Sequence, residues 1–351
     1  MILRRAALAV TAIALALLAV EFGLRITTGL GNPPLFQADE EIGYLMAPGQ
    51  EVYRLGNRIA INRFHQRSED ITPQPAPGVL RIFFLGDSIT FGISAVDQSE
   101  TYPEIVAESL RRTGQGAEAL NASAVSWGIG NERAYVDRFG AFASSVAILQ
   151  IGSSDLLQPT STAEVVGISP AYPDEKPLSA IGELLHRYLL PRLASALGYA
   201  VPAGGEPLTP EARDARFESN MEEFRRLVDA LRRQSVKPVV LLMPGLPELL
   251  DTPERLDRYV PYRRRFIALA RQLSLPVIDI AALWKDAPAV AGYYSDGTHL
   301  TARGNHAVAQ ILVRILIARR FDEPQLDERA SPVAAGGRAN GQGAKSLISP
   351  Q

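Results

Sequence analysis

Cysteine is absent from the 351 residues, which excludes disulfides, thiolate metal sites and a lipidated N-terminal cysteine. Histidine is scarce, with four residues, so few imidazoles are available to move protons. Charge of one sign is missing too. Against 36 Lys and Arg stand 38 Asp and Glu, a net charge of −2, and no basic stripe interleaves with aromatics. Such a chain has no field to gather nucleic acid, and nucleic acid is not expected as a partner. Hydrophobic residues make up 46% and charged residues 21%, the balance of a folded globular protein. At this length one core, not two, is expected.

One run stands out as long and apolar. Arg4 and Arg5 precede an uncharged stretch from Ala6 to Val20, and Glu21-Phe22-Gly23-Leu24-Arg25-Ile26 follows. The strict run is about 15 residues, roughly 22 Å as helix and short of a ~30 Å hydrocarbon core, which fits a cleaved signal peptide. A full span is reached through Ile26 if Glu21 and Arg25 lie at the far interface. The small-residue patterns that could mark cleavage, such as Ala14-Leu15-Ala16, fall inside the run and not after it. The expectation is therefore a signal-anchor over 1–26, with the basic end cytoplasmic and the rest outside, in a bacterial periplasm or at the cell surface. Cleavage would make the protein secreted.

Residues 27–78 are rich in Pro, Gly and Asn and read as an ordered arm between membrane and core. Over 79–323 short apolar runs alternate with amphipathic stretches, the mark of a parallel α/β sheet with helices on both faces. The strand candidates are Arg81–Leu85, Ala117–Leu120, Val146–Ile151, Pro238–Met243 and Pro276–Ile280, enough for one three-layer sandwich. Thr101-Tyr102-Pro103-Glu104 reads as a capping box. Thr209-Pro210 opens a helix whose stripe is Phe217, Met221, Phe224, Val228 and Leu231, and another helix follows Thr301. Residues 158–208 form an insertion with a very apolar segment, 184–190, read either as a lid over the substrate or as a packing helix. From 324 to 351 the composition is that of a flexible tail.

The apolar strand Arg81-Ile82-Phe83-Phe84-Leu85 ends abruptly in Gly86-Asp87-Ser88-Ile89. Ligands of open parallel sheets collect beyond the carboxyl ends of strands, so Ser88 suits a nucleophile, Gly86 permitting a tight turn. The plainer reading is that Asp87 or Ser88 only caps a helix. A serine hydroxyl needs a base to take its proton, and the base needs a carboxylate to hold its tautomer. Asp296 and His299, in Ser295-Asp296-Gly297-Thr298-His299, can supply both from one loop. Of the other histidines, only His186 has a carboxylate at that spacing, Glu183, and that pair reads as a helix-surface contact.

Gly-Asp-Ser-Ile after the first strand and Asp-x-x-His before the last helix together resemble the SGNH/GDSL hydrolase superfamily, in order and in distance, over roughly residues 78–320. The arm resembles that of membrane-anchored bacterial members in Glu21-Phe22-Gly23-Leu24-Arg25 and in Ile61-Asn62 followed by Arg67. The resemblance implies a flavodoxin-like five-stranded sheet of order 2-1-3-4-5, a triad of Ser88, His299 and Asp296, and ester chemistry with no metal and no cofactor. It also implies an oxyanion hole built from the Ser88 N–H, a backbone N–H of a second block, and a side chain of a third. In the second block, counting from Asn121 points to Ser126, while glycine identity points to Gly128, which is the expectation carried forward. In the third, the family's Gly-x-Asn-Asp stands here as Gly152-Ser153-Ser154-Asp155, so Ser154 occupies the place of the amide donor.

The activity expected is hydrolysis of an ester, an acyl or acetyl group on a small-molecule, glycan or lipid substrate of the cell envelope. Two alternatives stay open: acyl transfer to a polysaccharide hydroxyl by the same triad, and a non-catalytic envelope binding or assembly protein in which the change at Ser154 has degraded the site.

Overall fold

Among the described residues nine strands form, four in the arm and five in the core. The computed structural model describes residues 2–198, 208–250, 253–285 and 287–318, and the tail expected over 324–351 lies outside them. The arm folds as two antiparallel hairpins, β1 (Phe36–Asp39) with β2 (Gly43–Met46), and β3 (Gln50–Arg54) with β4 (Asn57–Ile61). The core strands are β5 (Leu80–Gly86), β6 (Ala117–Ser123), β7 (Val146–Gly152), β8 (Lys237–Met243) and β9 (Val277–Asp279). All their pairings are parallel and their order is β6-β5-β7-β8-β9, the order 2-1-3-4-5 of a doubly wound sheet.

Because both faces of this sheet are covered, its strands are apolar almost without a break. Alternate residues still serve different layers. Phe83, Leu85, Leu149 and Leu242 join Tyr135, Phe224 and Phe266 of the helices Ile129–Phe139, Pro210–Arg233 and Pro253–Gln272. Ile82, Phe84, Ile148 and Leu241 join Val106 and Leu312 of the helices Tyr102–Arg112 and Ala302–Ile317 on the other face. The arm belongs to the first of these layers, since Ile42, Tyr44, Val52, Ile59 and Ile61 are buried in the same cluster. β5 is the switch point, with β6 on one side and β7 on the other, and a crevice forms beyond its carboxyl end.

One expectation is corrected here. Thr101 is the N-cap of its helix but makes no side-chain cap; its hydroxyl donates to Gln98 O at 3.0 Å, and the free Tyr102 N–H is taken by Asn305 Oδ1 at 2.9 Å. A tertiary acceptor from the last helix has replaced the local one. The apolar segment 184–190 lies beside the N-terminal helix and the arm. Buried Glu183 pairs with Arg54 and accepts from Gly31 N at 2.6 Å, and Tyr188 accepts from Arg54 at 3.0 Å. None of the described residues 180–198 lines the cavity beside Ile89.

Candidate active site

β5 stops at Gly86, and Asp87 caps the one-turn helix Ser88–Phe91 by accepting from Ile89 N at 2.8 Å. Gly86 is there for close approach and not for a left-handed turn, because its φ is not positive. A Cβ at Gly86 would strike Thr90 Oγ1 and come within 2.6 Å of Gln150 Oε1. Those atoms form the bracing behind the turn: Gln150 Oε1 accepts from Thr90 Oγ1 at 2.9 Å and from Asp87 N at 3.3 Å. Asn121 Nδ2 donates to Thr90 O at 2.8 Å. Beyond the turn, buried Arg67 of the arm donates to Phe91 O, Ile93 O and Val96 O at 2.6, 2.8 and 2.7 Å. The loop that carries the serine is thus clamped from two strands and from the arm.

The second half of the site is a loop closed by a bridge between Tyr294 and Leu300 and by Ser295 N donating to His299 O at 2.9 Å. Tyr294 OH donates to Pro244 O at 2.8 Å and ties the loop to the end of β8. Inside it, one oxygen of Asp296 accepts from Thr298 N and His299 N at 2.7 and 2.8 Å, and the other faces His299 Nδ1 at 2.7 Å. His299 Nε2 lies 3.0 Å from Ser88 Oγ. A carboxylate can only accept, so Nδ1 carries the proton and Nε2 presents its lone pair to the hydroxyl. Partial burial pushes the Asp296 carboxyl up, but the His299 and Thr298 N–H groups and the imidazole outweigh it and hold it below its usual range. Ser88, His299 and Asp296 are therefore brought together across 211 residues into a chain that can withdraw a proton from the serine.

The three oxyanion positions fare differently. Gly128 is the N-cap of the helix Ile129–Phe139, and its N–H is already held by Asn131 Oδ1 at 2.9 Å. Ser126, two residues earlier, has φ 59°, the left-handed region that favours glycine. Its loop is fixed by the arm, with Tyr44 OH donating to Val125 O at 2.6 Å and Trp127 Nε1 to Tyr44 O at 2.9 Å. Ser154 is exposed and lines a cavity of about 110 Å³ together with Ile89, Met243, Pro247, Tyr259 and Thr298.

Sequence reasoning missed a group of buried carboxyls behind the serine. Burial raises Asp87 to about 6. Asp155 lies against Asp87, and burial, reinforced by the Asp87 charge, pushes it well above the carboxylate range. Burial does the same to Glu132, again with help from Asp87. Glu132 and Asp155 are each 1% exposed. The available signal was acidic residues inside otherwise buried segments, after β7 and in the first turn of a helix, but nothing in their spacing joins them.

Among known proteins, the profile of the GDSL-like Lipase/Acylhydrolase family matches residues 84–307, well over half of the chain. By sequence, no curated protein gives a significant match. Solved structures similar to this chain include TesA, at 15% identity and TM-score 0.42, covering 68% of this chain and 96% of its own. A lipase/acylhydrolase from Enterococcus faecalis matches at 14% and 0.42, with coverages of 68% and 96%. The psychrotrophic esterase EstA from Pseudoalteromonas sp. matches at 9% and 0.40, with 68% and 98%. With the family profile spanning both the Gly-Asp-Ser turn and the Asp296–His299 loop, this chain belongs to the GDSL-like lipase/acylhydrolase family of SGNH hydrolases and is a serine ester hydrolase.

Proposed function

We propose that this protein is a membrane-tethered esterase that removes short acyl groups from carbohydrate or lipid esters of the cell envelope, with Ser88 as nucleophile. The observation that carries the reading is the unbroken hydrogen-bond path from Ser88 Oγ through His299 to Asp296. In this mechanism His299 Nε2 takes the hydroxyl proton as Ser88 Oγ attacks the ester carbonyl, and Asp296 stabilises the imidazolium without taking its proton. The imidazolium then protonates the leaving alcohol. Water, deprotonated by His299 in turn, releases the acid from the acyl-enzyme. The Ser88 N–H is one oxyanion donor. The Ser126 N–H is the better second donor than that of Gly128, because Asn131 occupies the latter. Ser154 completes the set with a hydroxyl.

The cavity between Ile89 and Thr298, about 110 Å³ beside the turn that carries Ser88, supports a short acyl group such as acetyl or propionyl. The tether is supported by the helix Ile2–Thr28, which is long and apolar enough to cross a membrane and has no buried residues. Purified protein should hydrolyse a small activated acetyl ester, with Ser88→Ala or His299→Ala costing at least about 10³-fold in kcat. Equal rates in the wild type and Ser88→Ala would reject the assignment.

A further inference from the structure

The N-terminal helix and the insertion meet at one level. Glu21 accepts from Ala180 N and Ile181 N at 2.8 and 3.0 Å, and Arg25 Nη2 donates to Leu178 O at 3.0 Å. Glu21 is the first charged residue after the uncharged run 6–20. In a spanning helix that position marks the edge of the hydrocarbon, where polar side chains reach headgroups. The insertion therefore leaves the N-terminal helix at an interfacial depth.

From there the chain runs as continuous helix through Leu184–Leu189 and Leu190–Ala196. Its polar anchors turn toward the protein, Glu183 and Tyr188 both meeting Arg54. Its leucines do not. Leu185, Leu189, Leu190, Leu193 and Leu197 are 43 to 65% exposed, and Leu178 beside them is fully exposed. Four of the five recur at every fourth position, the spacing that keeps side chains along one side of a helix. A contiguous apolar face of this kind marks an interaction surface. Exposed Arg192 beside it is the type of residue that accompanies such a face at a phospholipid surface.

We propose that the helix 184–197 lies in the outer interface of the same phospholipid bilayer that the N-terminal helix spans, its leucines among the acyl chains and Arg192 among the headgroups. This rests on the anchor reading above. The bilayer, and not a protein partner, is the occupant because the exposed leucines follow directly on residues 178–181, which Glu21 and Arg25 fasten to an N-terminal helix whose own apolar surface is unburied and long enough to span a membrane. The catalytic domain is then held at two points, which removes the swing that a single helix would allow and fixes one orientation of the domain to the membrane.

The absence of cysteine makes the test direct. Full-length Leu193→Cys, labelled with an environment-sensitive NBD fluorophore, is reconstituted into phosphatidylcholine–phosphatidylglycerol vesicles that contain lipids spin-labelled along the acyl chain. Ile13→Cys in the N-terminal helix and Asp229→Cys on an exposed face of the domain are measured alongside. The expected result is strong quenching at 13, clear quenching at 193 to at least half that extent, and none at 229. If 13 is quenched while 193 matches 229, the anchor stands and the second contact is overturned. If 13 matches 229 as well, the anchor reading fails and takes this inference with it.

Discussion

A hydroxyl on one carbon does not reach as far as a carboxamide on two, and that difference matters where Ser154 is proposed as an oxyanion donor. Removing one oxyanion donor typically costs about 10² to 10³ in rate. With Ser154 proposed in the place of the family's amide, Ser154→Asn should raise kcat on a small acetyl ester by about tenfold or more, and Ser154→Ala should cost less than about tenfold. Steady-state kinetics of both variants checks this; a slower Ser154→Asn enzyme would mean that another group already fills the place. The buried carboxyls give a second test. Glu132 has a raised folded-state value, so its folded form keeps a proton that the unfolded chain releases above pH 4.5. Its contribution is most favourable below pH 4.5 and is lost as pH rises toward the folded value. Glu132→Gln removes that loss, so its Tm relative to the wild type should increase from pH 4.5 to 7, by about 2–4 °C for each kcal/mol. A Tm difference independent of pH would contradict the assignment. Asp296 and His299 were legible in the sequence because base and orienter share one loop, three residues apart. Glu132 and Asp155 were not legible as a group, because it forms only when β5, β7 and a helix start converge. Gly86, expected for a tight turn, is instead needed for close approach, part of which comes from Gln150 on another strand and so leaves no local signal.

At the scale of elements, hydrophobic periodicity located all five core strands to within about three residues at each end, because buried parallel strands leave an apolar run that little else imitates. The capping box failed because a local motif competes with tertiary acceptors, and Asn305 from the last helix outranked Thr101. The insertion was ambiguous because its anchors lie far away in the chain: Glu183 is held by Arg54, 129 residues earlier. Both side chains are buried, Arg54 to 1% and Glu183 to 6% exposure. Breaking such a pair leaves an unmatched buried charge at a cost of about 3–5 kcal/mol. Glu183→Ala should therefore lose about that much stability in denaturant unfolding, whereas the double change Arg54→Met with Glu183→Leu should lose much less. Equal losses in the two proteins would show that the ion pair is not what fastens the insertion to the arm.

At the scale of the molecule, one sheet edge unites a serine from the front of the core with an imidazole from its back, and the arm of residues 27–78 is part of that construction. Arg67 clamps the loop after Ser88, and Tyr44 holds the loop that carries Ser126. Arm and site are thus mechanically one body, which composition alone did not reveal because Pro, Gly and Asn are equally at home in a loose linker. The switch-point topology was legible from the alternation of elements together with the family resemblance. Activity-based labelling reads the activation of Ser88 by this body without any knowledge of the substrate. A fluorophosphonate probe should modify the full-length protein at Ser88 alone, located by peptide mass mapping, and labelling should be lost in Ser88→Ala and strongly slowed in His299→Ala. Failure of the folded wild-type protein to label, or labelling that persists in Ser88→Ala, would contradict the account.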